Sequence, residues 1–231
     1  MKIPKQKTVQ PQAVTHPFLN RYTSLPIALD MLSNSHITLL SPDSWEDRND
    51  AYYLQQYGIR RKLGSVLAVC LSTCRETFHQ WKVFSNGSAG VCIEFNTDKL
   101  LKAFPFSDGF VTGDVRYRLI RDMKDTKPPL HLWPFLKRVA FRDEKEFRII
   151  YQNRTETLRF KAVGIDLDSV QKITLSPWLP EAVAQSVIKI IKVINGCSSM
   201  DVRRSSLLDN ARWRKAIGPE LKRTAISSDG T

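Results

Sequence analysis

The sequence lacks the common motifs of nucleotide and metal sites. It contains no Gly-x-x-x-x-Gly-Lys phosphate loop, no Gly-x-Gly-x-x-Gly fingerprint and no His-Glu-x-x-His zinc motif. These absences exclude the standard P-loop NTPases, dinucleotide-binding Rossmann domains and zincin metalloproteases. No stretch approaches the roughly 18 consecutive apolar residues of a transmembrane helix, so the sequence predicts no membrane span.

Cysteine is scarce and is not arranged for a framework of disulfides or metal sites. The four thiols, Cys70, Cys74, Cys92 and Cys197, form no Cys-x-x-Cys pair, and no histidine lies at zinc-finger spacing from them. Three lie in or beside apolar runs, where a free cysteine behaves as a small buried hydrophobe. We therefore expect a cytoplasmic protein. The basic start of the chain is followed by no apolar segment, so no secretory signal is expected.

Acidic residues are too few to balance the basic ones. The 231 residues include 35 Lys and Arg against 23 Asp and Glu, which leaves a net charge of +12. This excess indicates an anionic partner, such as nucleic acid, a nucleotide or an acidic surface. Any single basic cluster can also be an ordinary solvated face. The candidate contacts to nucleic acid are Arg60, Arg61, Lys62, Arg203, Arg204, Arg212, Arg214 and Lys215.

The pattern of apolar residues predicts one α+β domain. Residues 1–17 are polar and basic and are expected to form a mobile arm. Residues 18–218 are expected to form the domain, and residues 219–231 a flexible tail. Within the domain, the continuous apolar run at 66–72 predicts a buried strand. The pattern that begins at Pro180 predicts a helix. The mixture predicts small mixed or antiparallel sheets with flanking helices.

Two groups of polar residues lie where predicted elements meet. Arg21 is followed by Tyr22, and this pair suits a flat anionic ligand because the guanidinium grips phosphate while the ring stacks on a base. Ser72 ends the predicted strand at 66–72, where a hydroxyl can bond a ligand or a neighbouring loop. The alternatives are an Arg21 paired with an acid, a Tyr22 that packs on the core, and a Ser72 that forms a turn.

The segment from Glu144 to Arg148 is the strongest candidate for chemistry. If it is a strand throughout, Glu144 and Glu146 share one face because side chains alternate. Two carboxylates on one face can raise the pKa of one of them by repulsion, which suits polarising a hydroxyl or stabilising a cationic centre. One alternative is a charged edge strand. Another is a metal-dependent nuclease that uses Asp50 with the two glutamates.

Tryptophans mark a further candidate surface. Trp45 precedes a charged segment, and Trp81 lies in the segment that ends at Phe84. These rings could stack on a ligand. The alternative is that they pack in the core, which is the more common position for aromatic side chains at such spacing.

The order of these motifs resembles the bacterial domain-of-unknown-function family 2971. The resemblance covers about residues 19 to 208. It rests on RYTSL, LLSPDSWEDRNDAYY, CLSTCRETFHQWKVFSNGSAGVCIEF, EKEFRI and VQKITLSP. The family name implies no activity.

The order of Arg21, Ser72 and Glu144-x-Glu146 is also similar to the Arg–Ser–Glu layout of ADP-ribosyltransferases. That similarity implies a small mixed sheet split around a cleft for NAD as the substrate, with no metal. Arg21 would bind the phosphates or nicotinamide ribose of NAD, and Ser72 would steady the cleft. Glu146 would bond the ribose hydroxyl and stabilise the oxocarbenium ion, and Glu144 would orient the acceptor. The other candidate contacts to NAD are Tyr22, Ser24, Trp81 and Arg148.

Two functions follow as expectations. The first is an NAD-dependent ADP-ribosyltransferase or NAD-cleaving effector of a bacterial toxin or anti-phage defence system, with an antitoxin or defence-system protein as partner. The alternative is a non-enzymatic nucleic-acid-binding or regulatory module of a defence system. The nuclease that would use Glu144, Glu146 and Asp50 is a third, weaker hypothesis.

Overall fold

The computed structural model describes residues 16–85 and 87–217. The predicted arm at 1–17 lies outside the described residues except for its last two positions. The predicted tail at 219–231 lies wholly outside them. In the part of the chain that is described, every helix is too short or too polar to cross a bilayer.

The described residues contain eleven strands and seven α-helices. The strands are β1 (Phe18–Ser24), β2 (His36–Leu40), β3 (Ser65–Ser72), β4 (Gly90–Asn96), β5 (Phe110–Asp114), β6 (Arg116–Arg118), β7 (Leu136–Arg138), β8 (Glu146–Asn153), β9 (Phe160–Gly164), β10 (Val170–Leu175) and β11 (Asp201–Arg204). The helices are α1 (Leu25–Asn34), α2 (Arg48–Arg61), α3 (Phe78–Phe84), α4 (Thr97–Leu101), α5 (Ile120–Asp125), α6 (Glu181–Val193) and α7 (Ala211–Ile217).

Nine of the strands form one mixed sheet, which confirms the predicted α+β class. The sheet follows the order β11-β10-β4-β1-β3-β2-β9, and β8 joins it through β3 while β5 pairs with β8. Only the β10–β11 pair in this sheet is parallel. The strands β6 and β7 form a separate two-stranded parallel sheet.

The sheet opens beside β3. One edge of β3 pairs with β8 along its whole length. On the other edge, β1 contributes the pair Asn20↔Ser72 and β2 contributes Leu40↔Ala68. Between these two pairs, Cys70 has its registered partner on β8 alone. Because β1 continues along β4 and β2 continues along β9, the two strands diverge. We call this opening, beside Cys70, the strand split.

The two faces of the sheet differ in chemistry because side chains alternate along each strand. One face is apolar and forms the main core, with Leu19, Val69 and Ile149 among its buried side chains. Helix α1 packs on this core through Ala28, Met31 and Leu32. The opposite face carries polar groups in register across three strands, where Asn20 pairs with Ser72 and Ser72 with Glu146.

Candidate functional site

Arg148 is the centre of the polar face. It is fully buried on β8, and all five of its N–H groups have acceptors. Nη1 donates to Asp50 Oδ1 at 2.8 Å and to the Pro134 carbonyl at 2.9 Å. Nη2 donates to Asp50 Oδ2 and, at 2.9 Å, to Glu146 Oε2, while Nε donates to Glu146 Oε1 at 2.7 Å. The Trp45 ring stacks on the guanidinium, 5.1 Å away.

Lys137 joins the same group from β7. Its Nζ lies 2.5 Å from Glu144 Oε2, 3.2 Å from Glu146 Oε2 and 3.6 Å from Asp50 Oδ2. We call Asp50, Lys137, Glu144, Glu146 and Arg148 the charge cluster. With every member ionised, three carboxylates face two cations, so the cluster carries one net negative charge. Buried charges of this kind persist because each has a partner.

The cluster separates the pKa values of its three carboxyl groups. Burial raises the pKa of Asp50 and of Glu144. Burial also acts to raise that of Glu146, but the charge and hydrogen bonds of Arg148 together with Lys137 lower it to about 2. Burial lowers the pKa of Lys137, yet the carboxylates outweigh this and raise it above its usual value. Glu146 is therefore the member whose negative charge is held most firmly.

Glu144 and Glu146 do not share a strand face, so that prediction was wrong. Glu144 ends a 3₁₀ turn, Val139–Glu144, and β8 begins only at Glu146. Lys145 between them has a left-handed backbone with φ of 48°, which reverses the chain. The two carboxylates meet because Lys137 bridges them, and not because of strand alternation.

Neighbouring side chains hold this turn in place. Ser72 is 5% exposed, and its hydroxyl donates to the Glu144 carbonyl at 3.0 Å. Gln80 on α3 donates to the same carbonyl at 3.0 Å. The Glu146 amide donates to the Tyr117 hydroxyl at 2.9 Å. Ser72 therefore contacts the turn that carries Glu144, and a steadying role for it stays a prediction.

Arg21 lies on β1, the strand that borders the strand split opposite β2. Burial lowers the pKa of Arg21 to about 10, and the nearby Cys70 thiol opposes this shift only in part. Among residues 16–85 and 87–217, no carboxylate forms an ion pair with Arg21. An arginine that is desolvated without an acidic partner is suited to an anionic ligand.

Cys70 connects Arg21 to Glu146. The thiol keeps exposed surface, yet the surrounding protein, together with the Glu146 carboxylate, raises its pKa well above the usual value. Arg21 and Glu146 therefore both act on the electrostatics of this thiol, one as a cation and the other as a carboxylate.

Three of the other predicted NAD contacts lie on β1 and α3: Tyr22, Ser24 and Trp81. Tyr22 packs edge-on against Trp81, with ring centroids 5.2 Å apart. Trp81 is fully buried, and its Nε1 donates to Glu76 at 2.7 Å, which fits the packing alternative. Ser24 is the N-cap residue of α1 but makes no capping bond with its side chain. Any contact of these residues with NAD remains a prediction.

Sequence reasoning missed part of the cluster. It did not select Lys137 or Tyr117, and it considered Asp50 only as a metal ligand. No sequence signal marks Lys137, because it reaches Glu144 and Glu146 only when the 3₁₀ turn between β7 and β8 brings the chain back. Among the described residues, no group of His, Cys, Asp and Glu is suited to a metal ion. The carboxylates instead bind Lys137 and Arg148.

The basic residues proposed for nucleic acid lie on three separate elements. Arg60 and Arg61 end α2, and Lys62 caps it in a left-handed conformation. Arg203 on β11 pairs with Asp201 at 3.0 Å, whereas Arg204 donates to two backbone carbonyls. The remaining members lie on the exposed helix α7 and are Arg212, Arg214 and Lys215.

Comparison with known proteins gives distant structural matches. No family model and no curated protein matches the chain, so the resemblance to family 2971 is not confirmed. Thermus sp. 2.9 DarT in complex with carba-NAD+ is 12% identical with a TM-score of 0.44, over 83% of this chain and 97% of that chain. Its complex with NAD+ is 11% identical at 0.44, over 84% and 98%. Its complex with ADP-ribosylated ssDNA is 11% identical at 0.44, over 85% and 98%. Likeness at this level assigns no function to the chain.

Proposed function

We propose that the protein is an NAD-dependent ADP-ribosyltransferase whose cleft is the strand split. The observation that carries the proposal is the strand arrangement: β1, which carries Arg21, and β8, which begins at Glu146, flank the same end of β3, and both charged groups act electrostatically on the Cys70 thiol. An unpaired guanidinium can bind the pyrophosphate of NAD by charge-assisted hydrogen bonds. A carboxylate on the opposite side can then lie against the nicotinamide ribose.

Glu146 is suited to stabilise positive charge on that ribose. When the glycosidic bond breaks, its electron pair leaves with nicotinamide, and the anomeric carbon develops the charge of an oxocarbenium ion. A carboxylate that is already fixed and ionised stabilises such charge without reorganising. The acceptor nucleophile then forms the new bond to the anomeric carbon and loses its proton.

The hydrogen bonds of Glu146 leave room for a ribose hydroxyl. Oε2 accepts from both Arg148 and Lys137, whereas Oε1 accepts from Arg148 Nε. A carboxylate oxygen can accept two hydrogen bonds, and the Cys70 thiol, a weak donor, also hydrogen-bonds to this carboxylate, so a ribose hydroxyl would take the position of the thiol. Arg148 therefore fixes the orientation of the carboxylate without occupying it completely.

Glu144 is assigned to the acceptor side of the reaction. Lys137 bridges its carboxyl group to that of Glu146. A ribose bound at Glu146 would therefore have Glu144 as a near neighbour. Burial raises the pKa of Glu144, which makes it the better of the two glutamates for taking a proton from an acceptor.

The proposal is tested by nicotinamide release. Full-length protein is incubated with NAD and with protein, DNA or RNA acceptors, and both free nicotinamide and labelled acceptor are measured. Glu146→Gln should lower release at least about 100-fold, as expected for loss of a preorganised electrostatic group. The control, Glu181→Gln on the exposed part of α6, should match the wild type. If the wild type releases no nicotinamide with any acceptor, the proposal is contradicted.

A nucleic-acid-binding module is the second candidate, and it is favoured by the exposed basic residues of α7. A protein that neutralises phosphates loses affinity with salt at about 0.9 log units per contact on duplex DNA. Binding to DNA and RNA at low salt, without NAD cleavage, would favour this function. A role in a toxin or defence system, with a dedicated partner protein, is part of either proposal.

A further inference from the structure

A cavity of about 310 Å³ lies between α2 and the segment around Trp133. This size falls at the small end of ligand pockets. We call it the aromatic cavity. The residues that line it are Tyr52, Tyr53, Gln56, Arg60, Met123, Lys127, Pro128 and Trp133.

The lining combines stacking surfaces with positive charge. Tyr53 packs against Trp133 with ring centroids 5.7 Å apart, and Tyr52 packs against Tyr53 at 6.3 Å. The Arg60 guanidinium lies over the Trp133 ring at 4.9 Å. Lys127 adds a second cation, and none of the lining residues is acidic. The cavity therefore suits a ligand that is flat and negatively charged at one end.

Arg148 fixes both walls of this cavity. Its Nη1 donates to Asp50 on α2, the helix that carries Tyr53 and Arg60. The same Nη1 donates to the carbonyl of Pro134, which follows Trp133 in a 3₁₀ segment, Leu130–Phe135. A single buried guanidinium thus sets the spacing of the two aromatic walls. The same guanidinium also binds the Glu146 carboxylate.

A second cavity of about 440 Å³ provides a contrast. Its lining includes Arg75, Glu76, Glu94, Lys172, Arg203 and Arg204. Most of these cations are already engaged. Lys172 pairs with Glu94 at 2.8 Å, Arg203 with Asp201 at 3.0 Å, and Arg204 donates to backbone carbonyls. It has no pair of stacked aromatic rings among its described lining residues, so its chemistry does not select a flat ligand.

We propose that the aromatic cavity binds a nucleotide unit, with the base against Tyr53 and Trp133 and the phosphate beside Arg60 and Lys127. The unit can be a free nucleotide or one residue of a single strand, because both present the same base and phosphate. The inference does not depend on NAD cleavage, since it concerns binding to residues outside the strand split.

The test measures binding by the full-length protein in the absence of NAD. One arm uses AMP in calorimetry, and the other uses a fluorescently labelled single-stranded oligonucleotide in an anisotropy titration. Tyr53→Leu should weaken binding about five- to 100-fold, which is the usual range for losing a stacked base. It should leave the salt dependence unchanged. Arg60→Ala should weaken binding and also flatten the salt dependence on single strands by about 0.7 log units per log unit.

Arg75→Ala is the matched control, because it removes an exposed arginine from the second cavity. It should bind like the wild type, and thermal melts should show all variants folded. If Tyr53→Leu weakens the binding of AMP alone, the ligand is a free nucleotide. If it weakens the binding of the oligonucleotide, the ligand is a single strand. The proposal is overturned if the wild type binds neither probe, if Tyr53→Leu binds normally, or if Arg75→Ala weakens binding as much as Arg60→Ala.

Discussion

At the scale of single residues, the account depends on how Glu146 keeps its charge. A buried carboxyl group ordinarily takes up a proton. Glu146 does not, because Arg148 contacts both of its oxygens and Lys137 contacts one. The same two cations are shared with Asp50 and Glu144. The protonation of Glu146 is therefore set by the whole cluster.

Replacing Lys137 by Met should move the acid limb of the pH–rate profile to higher pH. The three carboxylates would then face Arg148 alone, and loss of a close opposite charge raises a carboxyl pKa by roughly one to three units. The limb is measured from the rate of nicotinamide release. Lys137→Arg should restore it. Lys172→Met, which breaks the ion pair with Glu94, should leave it unmoved. An unchanged limb in Lys137→Met would contradict a role for Lys137.

Glu146 should also contribute to acid stability. Its pKa is about 2 in the folded protein, below its ordinary value of 4.5. A depressed carboxyl pKa adds stability above the unfolded value, and this stability is lost as pH falls from about 4.5 toward 2. Urea unfolding at several pH values should show this loss in the wild type and a shallower dependence in Glu146→Gln. Equal slopes in both proteins would show that Glu146 is not held in its ionised form.

At the scale of elements, the turn before β8 positions the two glutamates. Lys145 holds a left-handed backbone at φ of 48°, which costs a side-chain-bearing residue about 1 kcal/mol or more. Lys145→Gly should keep both stability and nicotinamide release. Lys145→Val should destabilise the fold by roughly 1–2 kcal/mol and lower release.

Ser35 provides the control for this prediction. It has nearly the same backbone, with φ of 49°, at the end of α1 and outside the strand split. Ser35→Val should destabilise the fold by a similar amount while the folded protein keeps its rate of nicotinamide release. Equal loss of rate in both variants would mean that the turn at Lys145 has no specific effect on Glu146.

Several elements could be predicted because their own residues favour one type of secondary structure. The apolar run at 66–72 became β3, and the pattern that begins at Pro180 became α6, as expected. The strand β1 was not predicted, since Asn20, Arg21 and Thr23 interrupt its apolar residues. It is a strand because all seven of its residues pair with β4, which is information from a distant part of the chain.

The residues of the candidate site could likewise be predicted only in part. Arg21, Glu146 and Arg148 were selected from local chemistry. Lys137 was not, because its role arises only when β7 packs beside β8. The error over Glu144 arose at Lys145, where a non-glycine residue adopts a left-handed backbone that the sequence does not indicate.

At the scale of the whole molecule, the positive charge and the candidate catalytic site are separate features. The chain carries +12, whereas the charge cluster carries one net negative charge when ionised. The excess therefore lies outside the cluster, on elements such as the end of α2 and the helix α7. The net positive charge is therefore evidence about binding partners, and the strand split between β1 and β2 is evidence about the proposed reaction.

The central claim is that Arg21 and Glu146 form one NAD site at that split. Calorimetric titration of NAD into the wild type, Glu146→Gln and Arg21→Ala tests it most directly, because binding is measured apart from turnover. The account predicts that Glu146→Gln binds NAD within a few-fold of the wild-type affinity but releases nicotinamide at least about 100-fold more slowly. It predicts that Arg21→Ala loses affinity by about ten-fold or more, as for a charge-assisted contact. A wild type that does not bind NAD, or an Arg21→Ala variant that binds it normally, would contradict the claim.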